Sequence, residues 1–140
     1  MRLFALACVL VLAGCVTGGT PDAGAEELSR QAETLVPESA DVFDISEGAC
    51  VQIDGNPACA RIFLTLDGSE EERADELVRT AEAAGWEVAK RDELGGGTAL
   101  ELERSGYRAI AAVWTTTCPA GDVDEACADE IQVIEDPSAG

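Results

Sequence analysis

The sequence predicts an α+β fold, a two-layer sandwich in which a mainly antiparallel sheet packs against one principal helix. Three observations carry this. One segment holds a complete set of helix signals: start, apolar stripe and stop. Runs with a two-residue hydrophobic period surround it in the order β-α-β-β-β. Cysteines in two equally spaced pairs are placed to staple the loops of a small domain.

Along the chain, Leu28, Ala32 and Leu35 recur on one side of a short helix expected over residues 26–35, which Pro37 ends. That apolar face is thin, so the expectation is weak packing or fraying. Val42, Phe43 and Ile45 suggest a brief strand. Val51 and Ile53 suggest another, between Cys50 and the Asp54-Gly55 turn. The clearest strand covers residues 60–66, where Ile62, Leu64 and Leu66 alternate with Arg61, Phe63 and Thr65.

The principal helix follows. Ser69 is a helix cap and Glu72 stands at the reciprocal position three residues on, while Glu70, Glu71 and Glu72 suit the positive end of the helix dipole. Ala74, Leu77, Val78 and Ala81 form the apolar stripe; Arg73, Asp75, Glu76, Arg79 and Glu82 are expected outside it. Gly85 is placed for a left-handed cap, with Trp86 folding back on the last turn.

Three strands come next. Trp86 and Val88 alternate with Glu87 and Ala89. Beyond a loop containing Gly95, Gly96 and Gly97, Leu100 and Leu102 alternate with Glu101 and Glu103. Ser105 and Gly106 make a two-residue hairpin turn into residues 107–116. That strand is apolar on both faces, with Ala109, Ala111 and Val113 on one and Ile110, Ala112 and Trp114 on the other. It is therefore expected to be central, or covered on its second face by the N-terminal segment. Ile131, Val133 and Ile134 mark a final strand.

The N-terminus carries a targeting signal. Arg2 precedes a short apolar run that closes on Leu12-Ala13-Gly14-Cys15. This ending resembles the lipobox of bacterial lipoproteins. The resemblance covers the signal alone, and the domain behind it resembles no named family. It implies cleavage between Gly14 and Cys15, a diacylglycerol on the Cys15 thiol, and a cell-envelope location anchored by lipid rather than by a spanning helix. In a Gram-negative host, Val16 after the cysteine implies the outer membrane. The alternative is an ordinary secretory signal cleaved at Ala13. The expected organisation is a signal over 1–14, a lipidated N-terminus and flexible tether over 15–27, and a single α+β domain over 28–140.

Charge is the next constraint. Nine Lys and Arg stand against 28 Asp and Glu, for a net charge of −19, and the chain has no histidine. Such a field disfavours nucleic acid and anionic headgroups, and turns the expectation toward a cationic or envelope protein partner, or simply toward solubility. Lack of histidine removes Ser-His-Asp and Cys-His catalysis and the commonest metal ligand.

Of the six cysteines, Cys8 falls in the signal and Cys15 at the lipobox, leaving Cys50, Cys59, Cys118 and Cys127. In an exported chain these read as two disulfides. Local pairing, Cys50 with Cys59 and Cys118 with Cys127, is favoured over cross-pairing, each short loop contributing about 2–3 kcal/mol. No Cys-x-x-Cys supports redox work. The triple glycine lacks the lysine of a phosphate loop. No cofactor is expected.

Two residue groups remain as candidates. Asp122, Asp124, Glu125, Asp129 and Glu130 gather oxygen ligands near the last cysteine pair, either as a calcium site or as an acidic surface loop; their spacing departs from the twelve-position calcium loop. Trp114 is either sheet packing or an exposed anchor for a partner. The functional expectation is an envelope lipoprotein with a binding or structural role. The alternative is a carboxylate-dependent or calcium-assisted extracytoplasmic hydrolase, which needs facing acids across a cleft.

Overall fold

The computed structural model describes residues 20–49, 58–116, 118 and 127–139. Two helices and six strands follow one another as α1 (Thr20–Glu33), β1 (Asp41–Ala49), β2 (Ala58–Thr65), α2 (Glu70–Ala83), β3 (Glu87–Leu94), β4 (Gly97–Arg104), β5 (Tyr107–Trp114) and β6 (Asp129–Glu135). The strands form one sheet in the order β1-β2-β6-β5-β4-β3, with every neighbouring pair antiparallel. Hence the expected two-layer α+β architecture and its β-α-β-β-β core are present, with β6 inserted between the β1-β2 hairpin and the β3-β4-β5 meander. Among the described residues no helix is long and apolar enough to cross a membrane.

Both helices lie on the same face of the sheet. Ala74, Leu77 and Ala81 of α2 share one buried cluster with Leu100, Leu102, Ala109, Ala111 and Val113 of the meander. The same cluster contains Leu28, Ala32 and Leu35 with Ala60, Ile62 and Leu64. This corrects two expectations. The first helix neither frays nor packs weakly; its three apolar residues are sealed into the core, since even a narrow stripe is sufficient when half a sheet lies beneath it. It also starts at Thr20, so residues 20–27 of the expected tether are helical. Both expected helices are present, and the first is as long as the principal one, 14 residues each.

The signals around α2 are realised in full. The Ser69 hydroxyl accepts from the Glu72 amide at 3.1 Å, and the Glu72 carboxylate accepts from the Ser69 amide at 2.9 Å. At the other end Gly85 adopts φ 91°, allowing its amide to donate to the Glu82 carbonyl and the Trp86 amide to the Ala81 carbonyl. These two reverse bonds form a Schellman cap, which a residue with a Cβ adopts only under strain. Trp86 is thereby folded under both helices. It is buried, its indole N–H donates to the Thr34 hydroxyl at 2.9 Å, and the Arg104 guanidinium lies 5.8 Å from its ring.

Gly95 and Gly96 form the two-residue turn between β3 and β4, so the glycine run is a hairpin connection. Gly97, in the first position of β4, lies so close to the Val113 carbonyl of β5 that a Cβ there has no room.

Strand β5 is central, as expected, lying between β6 and β4. Helix α1 packs on the same side as α2, so neither described helix covers the second face of β5. Ile110 and Ala112 are half-buried and Trp114 is 38% exposed. The strand buried on both faces is β6, where only Glu135 is exposed. The two tryptophans therefore differ in role. Trp86→Ala is expected to cost about 3–5 kcal/mol, as for large buried aromatics, and Trp114→Ala clearly less. Chemical denaturation of both variants checks this; equal losses would place Trp114 in the core.

Candidate functional site

Across β6, successive side chains point to opposite faces, and two adjacent acids meet two different arginines. Asp129 lies on the helix side. Both its carboxylate oxygens accept from Nη1 of Arg73 at 2.8 Å, and Oδ1 also accepts from the Trp114 amide at 3.2 Å. Arg73 completes its set by donating through Nη2 to the Trp114 carbonyl at 2.7 Å and through Nε to the Gly68 carbonyl at 3.1 Å. The pair is almost fully sealed, with side-chain exposures of 2% and 1%. One guanidinium thus joins the loop before α2, the end of β5 and the start of β6.

Glu130 lies on the far side. It accepts from Arg61 Nε at 2.9 Å and from the Gln132 side-chain Nε2 at 2.8 Å, and it forms an ion pair with Arg61 Nη2 at 2.8 Å. The Arg61 guanidinium stands 5.0 Å from the Phe63 ring centroid, and that ring is 5.9 Å from Phe43. Cys59, Phe63 and Ile134 on this face are buried, whereas Trp114 and Leu94, toward the β3-β4 hairpin, are exposed.

These placements correct the reading of the acidic group. Asp129 and Glu130 belong to a buried strand rather than to a surface loop, and their alternation sends them to opposite sides of the sheet. They do not converge on one ion, and each is neutralised by its own arginine. Asp122, Asp124 and Glu125 lie outside the described residues. Among the described residues no three His, Cys, Asp or Glu side chains are grouped to hold a metal ion. Burial pushes the Asp129 carboxyl above its ordinary value, against the pull of Arg73 and the Trp114 amide. A raised carboxyl is what a general acid requires, but this one is closed to solvent and fully engaged, so a substrate has no path to it.

An open cleft of about 410 Å³ runs along α2, lined by Asp67, Gly68, Glu72, Asp75, Glu76 and Arg79. Its acids include the capping Glu72. Asp75 is paired to Arg91 at 2.9 Å, and Glu76 accepts from the Ser39 hydroxyl at 2.7 Å. These contacts account structurally for Glu72, Asp75 and Glu76 and assemble no nucleophile with its base.

The disulfide Cys118–Cys127 is formed, closing the connection between β5 and β6 in the local pairing. Cys59 is also disulfide-bonded. Cys50 and Cys15 lie outside the described residues, as do the rest of the lipobox and the strand expected at Val51 and Ile53. The residue that sequence reasoning missed is Arg73, which was expected on the outer side of α2. Its signal is its spacing: 73, 77 and 81 form an i, i+4, i+8 row, so Arg73 continues the buried edge of the stripe.

The geometry defines a disulfide-bonded, mixed α/β domain with an antiparallel sheet, two helices on one face and no assembled catalytic centre among its described residues. Compared with known proteins, the chain matches no family model, no curated protein and no solved structure.

Two predictions follow from these contacts. Asp129→Leu leaves Arg73 buried without its counter-ion and is expected to cost about 3–5 kcal/mol, while adding Arg73→Met to it recovers a large part of the loss. A double-mutant cycle by urea unfolding measures it, and additive losses would mean the pair is not coupled.

The second concerns pH. Hydrogen bonds from the Thr98 and Thr115 hydroxyls hold the Glu70 carboxyl below its usual value of 4.5, and the Ser138 hydroxyl and amide hold Asp136 below its usual value of 3.8. A carboxyl with a depressed folded pKa contributes stability that is present above the unfolded value and lost as pH falls through the folded one. Asp129 has the opposite sign and does not share in this acid lability. The melting temperature is expected to fall below about pH 4.5, and Glu70→Gln to flatten that fall. Superimposable curves for the two proteins would remove Glu70 from the account.

Proposed function

We propose that the chain is a cell-envelope lipoprotein whose α+β domain is held at a membrane by lipid on Cys15 and acts there as a binding or structural module. The observation that carries this is the lipobox resemblance of Leu12-Ala13-Gly14-Cys15 behind a short apolar run. The disulfide Cys118–Cys127 supports it, because such bonds persist in oxidising compartments outside the cytoplasm. In a Gram-negative host, Val16 favours the outer membrane.

Helix α1 adds a geometric consequence. It begins at Thr20, so residues 16–19 are all that separate Cys15 from the first helical residue. The five Cα–Cα steps from Cys15 to Thr20 span at most on the order of 18 Å, which keeps the domain near the bilayer surface rather than on a long leash. The strongly acidic chain favours a cationic protein partner in that position over nucleic acid or anionic lipid.

The test is intact-mass spectrometry of the full-length protein purified from the membrane fraction, before and after reduction. The expected species begins at a diacylglycerol-modified Cys15 and gains about 4 Da when two disulfides are opened. Cys15→Ala is expected to move the protein out of the membrane fraction. An unmodified chain starting elsewhere would sink the lipoprotein reading.

A further inference from the structure

The two edges of the sheet are built differently. The outer edge at β3 carries Glu87, Lys90, Arg91, Asp92 and Glu93, a mixed row of charges of the kind that keeps an exposed strand from pairing. Lys90 and Asp92 form an ion pair with each other, and Arg91 is paired to Asp75. The opposite edge is β1, nine residues long and, among the described residues, paired only to β2. Val42, Phe43 and Ile45 of this strand are 40%, 40% and 46% exposed, more than half of the large hydrophobic residues left exposed among the described ones.

These apolar residues flank the edge on both faces. Val42 and Ile45 stand opposite Leu64 and Ile62, on the helix side. Phe43, at the irregularity in the β1-β2 register, leans on Phe63 of the far side. A strand added along β1 would therefore gain backbone hydrogen bonds and apolar contacts above and below it.

Charge selects the occupant. The charged residues of β1, namely Asp41, Asp44 and Glu47, are all acidic, and the base on the neighbouring strand, Arg61, is neutralised by Glu130. With a net charge of −19, a second copy of the chain is repelled. We propose that β1 is a docking edge that takes up an extended segment of a cationic partner polypeptide, with apolar and Lys or Arg side chains in alternation, as a further strand of the six-stranded sheet. This rests on the reading of the domain as an anchored binding module and names its binding surface.

The full-length lipidated protein in nonionic detergent is titrated with three short synthetic peptides: one alternating Val with Lys, one with the same composition scrambled, and one alternating Val with Glu. The alternating Lys peptide is expected to bind on the order of tenfold more tightly than the other two, with an affinity that falls as salt rises. Its binding is expected to slow amide hydrogen exchange at residues 41–45. Phe43→Lys and Ile45→Lys are each expected to abolish that binding while the far-UV circular dichroism of the folded sheet is retained, even where lost packing on Phe63 or Ile62 lowers the melting temperature; Glu93→Lys on the opposite edge leaves binding intact.

Equal binding of the alternating and scrambled Lys peptides would reduce the effect to bulk charge and overturn the proposal. So would protection at β3 in place of β1, or no binding by any peptide. A concentration-dependent dimer that Ile45→Lys dissolves would assign the edge to a second copy instead. The lipid on Cys15 is read independently by mass, so a failure of the docking edge and a failure of the anchoring reading are distinguishable.

Discussion

The Arg73–Asp129 pair is the contact on which the arrangement of this domain turns. It sits where three chain segments meet that are distant in sequence: the loop entering α2, the last residue of β5 and the first residue of β6. A guanidinium has enough donors in a fixed fork to reach the carboxylate and two backbone carbonyls together, and the carboxylate in turn receives the Trp114 amide. Buried ions are costly unless their hydrogen bonds are satisfied, and here the satisfaction comes from backbone of a particular geometry. The pair therefore rewards one placement of β6, beside β5 with its start beneath α2.

Much of the remaining structure follows from that placement. Once β6 lies between β2 and β5, its alternation puts Ile131 and Val133 under the helices and Glu130 and Gln132 on the far face. Glu130 then meets Arg61, whose guanidinium faces the Phe63 ring next to Phe43. The disulfide Cys118–Cys127 closes the connection that precedes β6. A covalent closure restricts the unfolded chain, while the ion pair orients the folded one, so the two constraints act on different states.

On the proposed reading, the domain acts through its surfaces. Asp129, whose carboxyl pKa is raised by burial, is sealed behind an arginine, and three acids of the α2 cleft, Glu72, Asp75 and Glu76, are committed to a cap, an ion pair and a hydroxyl. What the fold does leave available is an asymmetric pair of sheet edges, one covered in charge and one apolar within an acidic surround.

The sequence by itself determined the elements whose signals are local. Helix α2 was legible from Ser69 and Glu72 to Gly85, because caps and stripe depend on neighbours within a turn or two. The strands around it were legible from their two-residue period, and the local cysteine pair at 118 and 127 from its spacing. Tertiary structure alone decided the burial of Arg73, Asp129 and Glu130, since a charge is stable inside only when a partner from elsewhere in the chain arrives to neutralise it. It also decided that α1 is a core helix, for the three apolar residues of its thin stripe carry no local mark of what will lie beneath them. The β1 edge belongs to the same category: Val42, Phe43 and Ile45 read as ordinary strand residues, and only the order of the sheet leaves them at its border.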